Sequence, residues 1–110
     1  MKRLNYLIFD GFDWDSSNYN HCQVHNVGIN EIEDFFNQEL LYFEDKRHSI
    51  HEKRWIAVGL TLKKRFLFVA YTFRQIGSEN LIRPISARYC HKREQMIYEE
   101  IKEELIKGKS

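Results

Sequence analysis

The chain has 110 residues, which suits a single domain over 1–110, and its 43% hydrophobic and 15% aromatic content predicts a folded core rather than disorder. The net charge is only +1, yet residues 46–93 hold twelve basic and two acidic residues (+10), against −7 for 1–45 and −2 for 94–110. Such segregation predicts a basic face that binds a polyanion. No apolar stretch approaches the ~20 residues of a membrane span, which argues against a membrane partner.

The N-terminal quarter predicts one short strand or turn and a first helix. Residues 9–15 are expected to place Phe12 and Trp14 in the core. A side chain at 15–17 can then cap a helix over 17–26, which ends near an Asn and a Gly.

A second helix is predicted after residue 28. Asn30 is expected to cap it, with Glu33 three residues later in a near capping box. Its apolar positions recur at helical spacing: Ile29, Ile32, Phe35 and Phe36.

Beyond residue 38 the pattern changes to strands. Four β-rich runs are predicted, at 40–43, 52–62, 65–75 and 81–86. Tight turns are expected at Lys63-Lys64 and within 76–80. Pro84 cannot donate to a sheet ladder, so its strand should be an edge or turn that bond outward.

Residues 91–107 predict a closing helix that is ended by Gly108. Its expected buried stripe is Ile97, Ile101 and Leu105. The predicted fold is therefore α+β, with two N-terminal helices, an antiparallel sheet of about four strands and a C-terminal helix.

Hairpin register predicts where three arginines meet. A turn at 63–64 brings Arg54 within one position of Arg74, and a turn at 78–79 sets Arg74 opposite Arg83. Three guanidinium groups in one row suit a phosphate, with Glu52 as the internal counter-charge. The alternative is that each arginine is simply a solvated strand end.

Other residues could take part in chemistry. His48 lies near the arginines and Glu52, where it could do acid–base work, although a plain polar loop is equally consistent. Arg88 leads into the last helix, whose N-terminus can itself attract phosphate.

Several sites are disfavoured or excluded. His21 and His25 have helical spacing but no completing ligand for zinc. Cys22 and Cys90 make no disulfide framework, and the run behind Met1 is too short for a signal peptide, so a cytoplasmic protein with reduced thiols is expected. No P-loop, zincin or nucleophile-elbow motif is present.

Short segments in a fixed order resemble one family. In the N-terminal half they are Phe12-Asp-Trp-Asp15, His25-Asn-Val27, Glu31 and Phe36-Asn37. In the middle they are His48-Ser49, Glu52, Arg54, Ala57-Val-Gly59 and Thr61. Towards the C-terminus they are Arg65, Leu67-Phe-Val69, Tyr71-Thr72, Arg74, Ile82-Arg83, Ile85-Ser-Ala-Arg88, Glu94 and Tyr98. Over about residues 9–98 the chain resembles the BrnT toxins.

The resemblance implies a RelE-like ribonuclease toxin of a type II toxin–antitoxin pair. It implies an endoribonuclease that needs no metal cofactor, slows translation in the cytoplasm and is neutralised by a BrnA-like, ribbon–helix–helix, DNA-binding antitoxin. Val24, His21 and His91 stand where the family usually has Lys, Asn and Ser or Thr.

The expected catalytic set is Arg54, Arg74, Arg83, Arg88, Glu52 and His48. The arginines would stabilise charge on the phosphoryl oxygens, Glu52 or His48 would act as general base, and His48 or Arg88 would assist the leaving oxygen. The expected RNA-binding set is Lys53, Lys63, Lys64, Arg65, Lys92 and Arg93. The alternatives are a module that binds nucleic acid without cutting it, or a basic face that docks an acidic protein.

Overall fold

The computed structural model describes residues 2–108. The strands are β1 (Arg3–Tyr6), β2 (Gly11–Phe12), β3 (Glu39–Glu44), β4 (Trp55–Leu60), β5 (Phe66–Ile76) and β6 (Glu79–Tyr89). The helices are α1 (Ser16–His21), α2 (Ile29–Phe36) and α3 (Lys92–Gly108), and a 3₁₀ turn spans Lys46–His48.

One sheet runs through the described residues, in the strand order β1-β3-β4-β5-β6-β2. All neighbours are antiparallel except β2, which pairs parallel to β6. The predicted α+β class and C-terminal helix are confirmed, but the four-stranded antiparallel sheet is wrong because the sheet has six strands and is mixed. The four-residue β1 was not predicted, because so short a segment leaves almost no periodicity in a sequence. The two-residue β2 lies within the short strand or turn predicted over residues 9–15, but its place in the sheet was not predicted.

The N-terminal helices differ from prediction at their ends. Asp15 is the N-cap of α1 and forms a capping box with Asn18. The helix ends at His21 rather than 26, and Asn26 adopts a left-handed φ of 64° in the turn that follows. The expected Asn30 cap is wrong: Gly28 is the N-cap of α2 and offers no side-chain cap.

Two cores cover the two faces of the sheet. The larger one packs α2 against the central strands through Phe35, Phe36 and Tyr71. The smaller one lies under α3, where Tyr98 is the buried helical residue. Of the predicted α3 stripe, two members pack against this core, whereas Ile97 is 45% exposed because the helix turns Tyr98 towards the sheet.

Turn positions set the register of the arginines. The β4–β5 hairpin pairs Trp55 with Tyr71, a register that, if continued one residue, brings Arg54 level with Thr72. The β5–β6 hairpin turns at 77–78, with Gly77 at a φ of 61°, and pairs Thr72 with Arg83. The predicted Arg74–Arg83 pairing is therefore wrong by two positions, since moving a hairpin turn by one residue shifts every pair by two.

Pro84 lies at an irregularity of β6. The register shifts between Ala70 and Tyr71, which leaves Ile85 as an extra residue on β6. The short β2 pairs only with Leu81 and Ile82, so among the described residues no strand lies beside Pro84 on the side of β6 away from β5, and the Asn18 amide donates to the Pro84 carbonyl at 2.9 Å. At Pro84 itself β6 therefore has a free edge, as predicted, although β6 as a whole is not an outer strand of the sheet.

Candidate active-site cleft

The loop between β3 and β4 is closed by a set of short hydrogen bonds. Asp45 N–H donates to the Arg54 carbonyl at 2.8 Å. The Ser49 hydroxyl donates to the Asp45 carbonyl at 2.7 Å and accepts from Arg54 N–H at 2.9 Å. The buried Thr72 hydroxyl on β5 donates to the Lys53 carbonyl at 2.8 Å. These bonds hold the loop against the end of β5.

An open cleft of about 440 Å³ lies between this loop and the end of β5. We call it the loop cleft, and its lining residues are His48, Ile50, His51, Glu52, Arg54 and Arg74. Four of the six residues predicted as catalytic are thus brought together around one cavity: His48, Glu52, Arg54 and Arg74.

Charged partners orient the side chains of the loop cleft. His48 Nδ1 lies 2.9 Å from Asp45 Oδ2, and the Asp45 carboxylate is mostly buried while His48 is exposed. Arg74 Nη2 donates to Glu52 Oε1 at 3.3 Å. Within residues 2–108, Arg54 has no carboxylate at ion-pair distance, so its charge is available to an anion in the cleft.

Arg83 is engaged away from the lining of the loop cleft. Its guanidinium contacts Asp15 Oδ2 at 2.9 Å and Asp13 Oδ2 at 3.4 Å, and its side chain is only 16% exposed. The backbone N–H of Asn18 and the Arg83 guanidinium lower the pKa of Asp15. Arg83 therefore ties β6 to the segment before α1, and the three-arginine row expected from the sequence does not form.

Arg88 is held by a two-pronged ion pair. Its Nη1 and Nη2 donate to the two oxygens of Glu94 at 2.7 and 2.8 Å, and its guanidinium lies 4.2 Å from the centre of the Phe68 ring. The hydrogen bonds from Arg88, together with the backbone N–H of His91, lower the pKa of Glu94 to about 2. The pair fastens the start of α3 to β6, and Arg88 is not among the lining residues of the loop cleft.

The residues predicted to bind RNA lie in separate places. Lys63 and Lys64 are exposed in the β4–β5 turn, and Arg65 beside them pairs with the buried Glu31 at 3.3 Å. From Phe66, where β5 begins, to Arg74 is about 26 Å at 3.3 Å per residue. This hairpin tip is therefore at the opposite end of the sheet from the loop cleft.

The remaining predicted RNA-binding residues flank other elements. Lys53 lies in the loop, with Nζ 3.8 Å from Glu44 and 5.3 Å from the centre of the Trp55 ring. Lys92 and Arg93 are exposed at the start of α3.

The charges that are segregated along the sequence partly neutralise one another through ion pairs in the folded protein. Acidic residues of the first 45 positions pair with bases of the 46–93 segment: Asp13, Asp15, Glu31 and Glu44. In the described part of the chain, the bases of that segment without an ion pair are Lys46, Arg47, Arg54, Lys63, Lys64, Lys92 and Arg93. The basic surface is thus a set of local patches rather than one face.

Asp45 and Ser49 are the positioning residues that the sequence analysis missed. The Asp45-x-x-His48 spacing was a usable signal, because a carboxylate three residues before a histidine can reach its ring in a helical turn. Among residues 2–108, no group of three or more His, Cys, Asp or Glu side chains is placed to hold a metal ion. No helix in that range is long and apolar enough to cross a membrane.

The fold and the loop cleft define a small α+β protein in which a carboxylate-oriented histidine and two arginines line one cavity, an arrangement that suits a phosphate diester. A model of the family described as the ribonuclease toxin, BrnT, of type II toxin–antitoxin systems matches residues 14–94, a span that includes the whole cleft. The chain belongs to this family. Its members are ribonuclease toxins, which implies an RNA substrate and an antitoxin partner. A comparison with curated proteins gave no match.

Proposed function

We propose that this protein is a metal-independent endoribonuclease toxin that cleaves RNA in the loop cleft. The observation that carries the proposal is the meeting of the His48–Asp45 pair with Arg54 and Arg74 around one cavity. Cleavage in the cytoplasm lowers translation, and a BrnA-like ribbon–helix–helix antitoxin neutralises the toxin. The family match supports the ribonuclease class and the existence of an antitoxin.

The phosphate of the scissile bond binds between Arg54 and Arg74. Arg54 supplies an uncompensated charge, whereas Arg74 shares its charge with Glu52 in the resting protein. A phosphate oxygen competes with the partly exposed Glu52 for Arg74, since guanidinium groups bind phosphate in two-pronged geometry. The two arginines then stabilise the charge that develops on the phosphoryl oxygens.

His48 is the stronger candidate for the general base. With Nδ1 held by Asp45, the other ring nitrogen, Nε2, is directed away from that carboxylate and can take the proton of the 2′-hydroxyl. The 2′-oxygen attacks its own phosphorus and the bond to the 5′-oxygen breaks. A proton reaches the departing oxygen from the imidazolium or from His51, which lines the same cleft, leaving a cyclic phosphate and a 5′-hydroxyl.

Substitution of the two cleft arginines tests the site. We expect Arg54→Ala and Arg74→Ala each to lower the cleavage rate about 100-fold, the scale of losing one charge-stabilising donor. Arg47→Ala is the matched control, because it removes one positive charge from the same loop but not from the cleft lining. Rates are measured on a labelled RNA with EDTA present, after each variant is shown to unfold like the wild type.

Three results would contradict this proposal. Equal cleavage by the wild type and both cleft variants would remove the arginines from the site. RNA that is bound but stays intact, with no new 5′-hydroxyl ends, would make the protein a binding module instead. Loss of cleavage in EDTA, restored by a divalent ion, would exclude the metal-independent route.

A further inference from the structure

A second cavity, of about 320 Å³, lies at the same end of the sheet as the loop cleft. We call it the aromatic cleft, and its lining residues are Arg3, Tyr42, Glu44, Lys46 and Trp55. The Lys53 ammonium lies over the Trp55 ring at the same opening. Two aromatic rings and three basic side chains, those of Arg3, Lys46 and Lys53, therefore surround it.

Sheet register explains why these side chains share one face. Arg3 pairs with Tyr42 across β1 and β3, and Glu44 pairs with Trp55 across β3 and β4. Directly opposed residues point to the same side, and so do residues two apart on one strand such as Tyr42 and Glu44. Strand pairing thus fixes Arg3, Tyr42, Glu44 and Trp55, while Lys46 and Lys53 come from the loop between β3 and β4.

The rings of the aromatic cleft are half-buried and face solvent on one side. The Tyr42 and Trp55 ring centres are 6.3 Å apart in an edge-to-face arrangement, and the inner sides of both rings pack against the larger core. The outward side of the indole is marked by the Lys53 ammonium, 5.3 Å from its centre. Because Lys53 is 61% exposed and its contact with Glu44 is long at 3.8 Å, a flat aromatic ligand can displace it.

The two clefts border the same loop. Lys46 and His48 belong to one 3₁₀ turn, yet Lys46 lines the aromatic cleft and His48 lines the loop cleft. Arg54 of the loop cleft directly precedes Trp55 of the aromatic cleft. Neighbouring strand residues point to opposite faces of a sheet, so an RNA strand whose phosphate lies on Arg54 reaches Trp55 by passing around the end of the sheet, over the Lys46–His48 turn that borders both clefts.

We infer that the aromatic cleft binds an unpaired nucleobase of the RNA substrate, stacked on Trp55 and bordered by Tyr42, with Lys46 and Lys53 on the adjoining phosphate. The inference rests on the proposed function for the position of the scissile phosphate. Aromatic platforms within a basic groove bind single strands because every base has a stacking face, whereas bases inside a duplex are covered by their neighbours. The substrate class is accordingly single-stranded RNA.

Fluorescence of Trp55 tests the inference without any need for cleavage. In Trp14→Phe protein, Trp55 is the one remaining tryptophan. The probe is a single-stranded 2′-O-methyl oligouridylate, which lacks the attacking hydroxyl, and a 2′-O-methyl duplex is compared with it. We expect the single strand to quench Trp55 and the duplex to leave it unchanged. Trp14 in Trp55→Phe protein is the control, and it should not be quenched.

Affinity gives a second, independent measurement. Trp55→Leu keeps an apolar side chain towards the core but removes the platform, so we expect it to bind the oligouridylate about tenfold more weakly, within the range for loss of one stacked base. Trp14→Leu should bind like the wild type. If Trp55→Leu fails to fold, Trp55→Phe replaces it, with a smaller expected loss.

The results separate the two proposals. The wild type could cleave RNA while Trp55 is not quenched and Trp55→Leu binds as tightly as the wild type. This result would overturn the inference about the aromatic cleft but not the ribonuclease proposal. Quenching and weaker binding without cleavage support the aromatic cleft and overturn the ribonuclease proposal. Equal quenching by single strand and duplex also overturns the inference, because a base within a duplex cannot reach the ring.

Discussion

Among single residues, Asp45 has the largest consequence for the proposed chemistry. Its backbone closes the loop through Arg54, and its side chain holds one ring nitrogen of His48 at 2.9 Å. A histidine fixed in this way presents its second nitrogen in one direction, which a general base requires. Asp45 is thus a positioning residue that acts through His48.

Replacing Asp45 by Asn tests that role. Asparagine keeps the backbone hydrogen bonds and the side-chain size but loses the carboxylate, so we expect kcat to fall about tenfold with KM unchanged. Steady-state cleavage of a labelled RNA over a range of RNA concentrations measures both values. Asp34→Asn, on the exposed side of α2, should behave like the wild type. A rise in KM with kcat preserved would instead assign Asp45 to RNA binding.

Residues that are near one another along the chain were correctly brought together from the sequence, while their catalytic roles stay a prediction. His48, Glu52 and Arg54 lie within seven positions, and any closed loop brings them near each other. Arg83 was misplaced because its partners, Asp13 and Asp15, are about 70 residues away and no periodicity reports such a contact. Family resemblance identified the protein class correctly but could not supply those distances.

Secondary-structure elements show the same contrast: their positions were easier to predict than their contacts with other elements. The long strand β5 and the helix α3 were predicted to within one residue at each end, since each carries a repeated pattern over eleven or more residues, whereas β6 begins two residues before and ends three residues beyond the predicted 81–86. The predicted β5–β6 register was wrong because of a single turn residue. Gly77 adopts a positive φ at the first turn position, so the hairpin turns one residue earlier than predicted. The position of a strand is therefore easier to predict from sequence than the register in which it pairs with its neighbour.

The attachment of α3 to β6 depends on the Arg88–Glu94 pair, and Glu94→Gln tests it. Because Arg88 lowers the pKa of Glu94 to about 2, the pair stabilises the fold above the usual glutamate pKa of about 4.3, and this stability is lost as pH falls towards 2. We expect Glu94→Gln to lower the free energy of unfolding by about 1–2 kcal/mol at pH 6, and the difference from the wild type to shrink at pH 3.

Urea unfolding at both pH values measures the effect of Glu94→Gln. Glu100→Gln serves as the control, since it removes an exposed carboxylate from the same helix that has no ion pair within the part of the chain described. A difference that is the same size at pH 6 and pH 3 would show that the pair contributes by packing and not by charge.

For the whole molecule, folding redistributes charge that is segregated along the chain. N-terminal acids neutralise Arg65, Arg83 and, at longer range, Lys53, so the unpaired bases form patches at separate ends of the sheet. The loop cleft and the Lys63–Lys64 turn are separated by the length of β5 from Phe66 to Arg74, about 26 Å, in a molecule whose longest dimension is 39 Å. A short RNA can therefore occupy one patch without touching the other.

Salt dependence of RNA binding separates these two patches. Each phosphate contact on single-stranded RNA contributes about −0.7 to the slope of log affinity against log salt. A tetranucleotide is too short to reach from the loop cleft to the Lys63–Lys64 turn, whereas a 15-nucleotide strand is long enough to contact both. We expect the double variant Lys63→Ala/Lys64→Ala to bind the tetranucleotide like the wild type, but to reduce the slope for the longer strand by about 1.4. An unchanged slope for the longer strand would mean that RNA leaves the loop cleft in another direction. A changed affinity for the tetranucleotide would place the primary binding site at the Lys63–Lys64 turn.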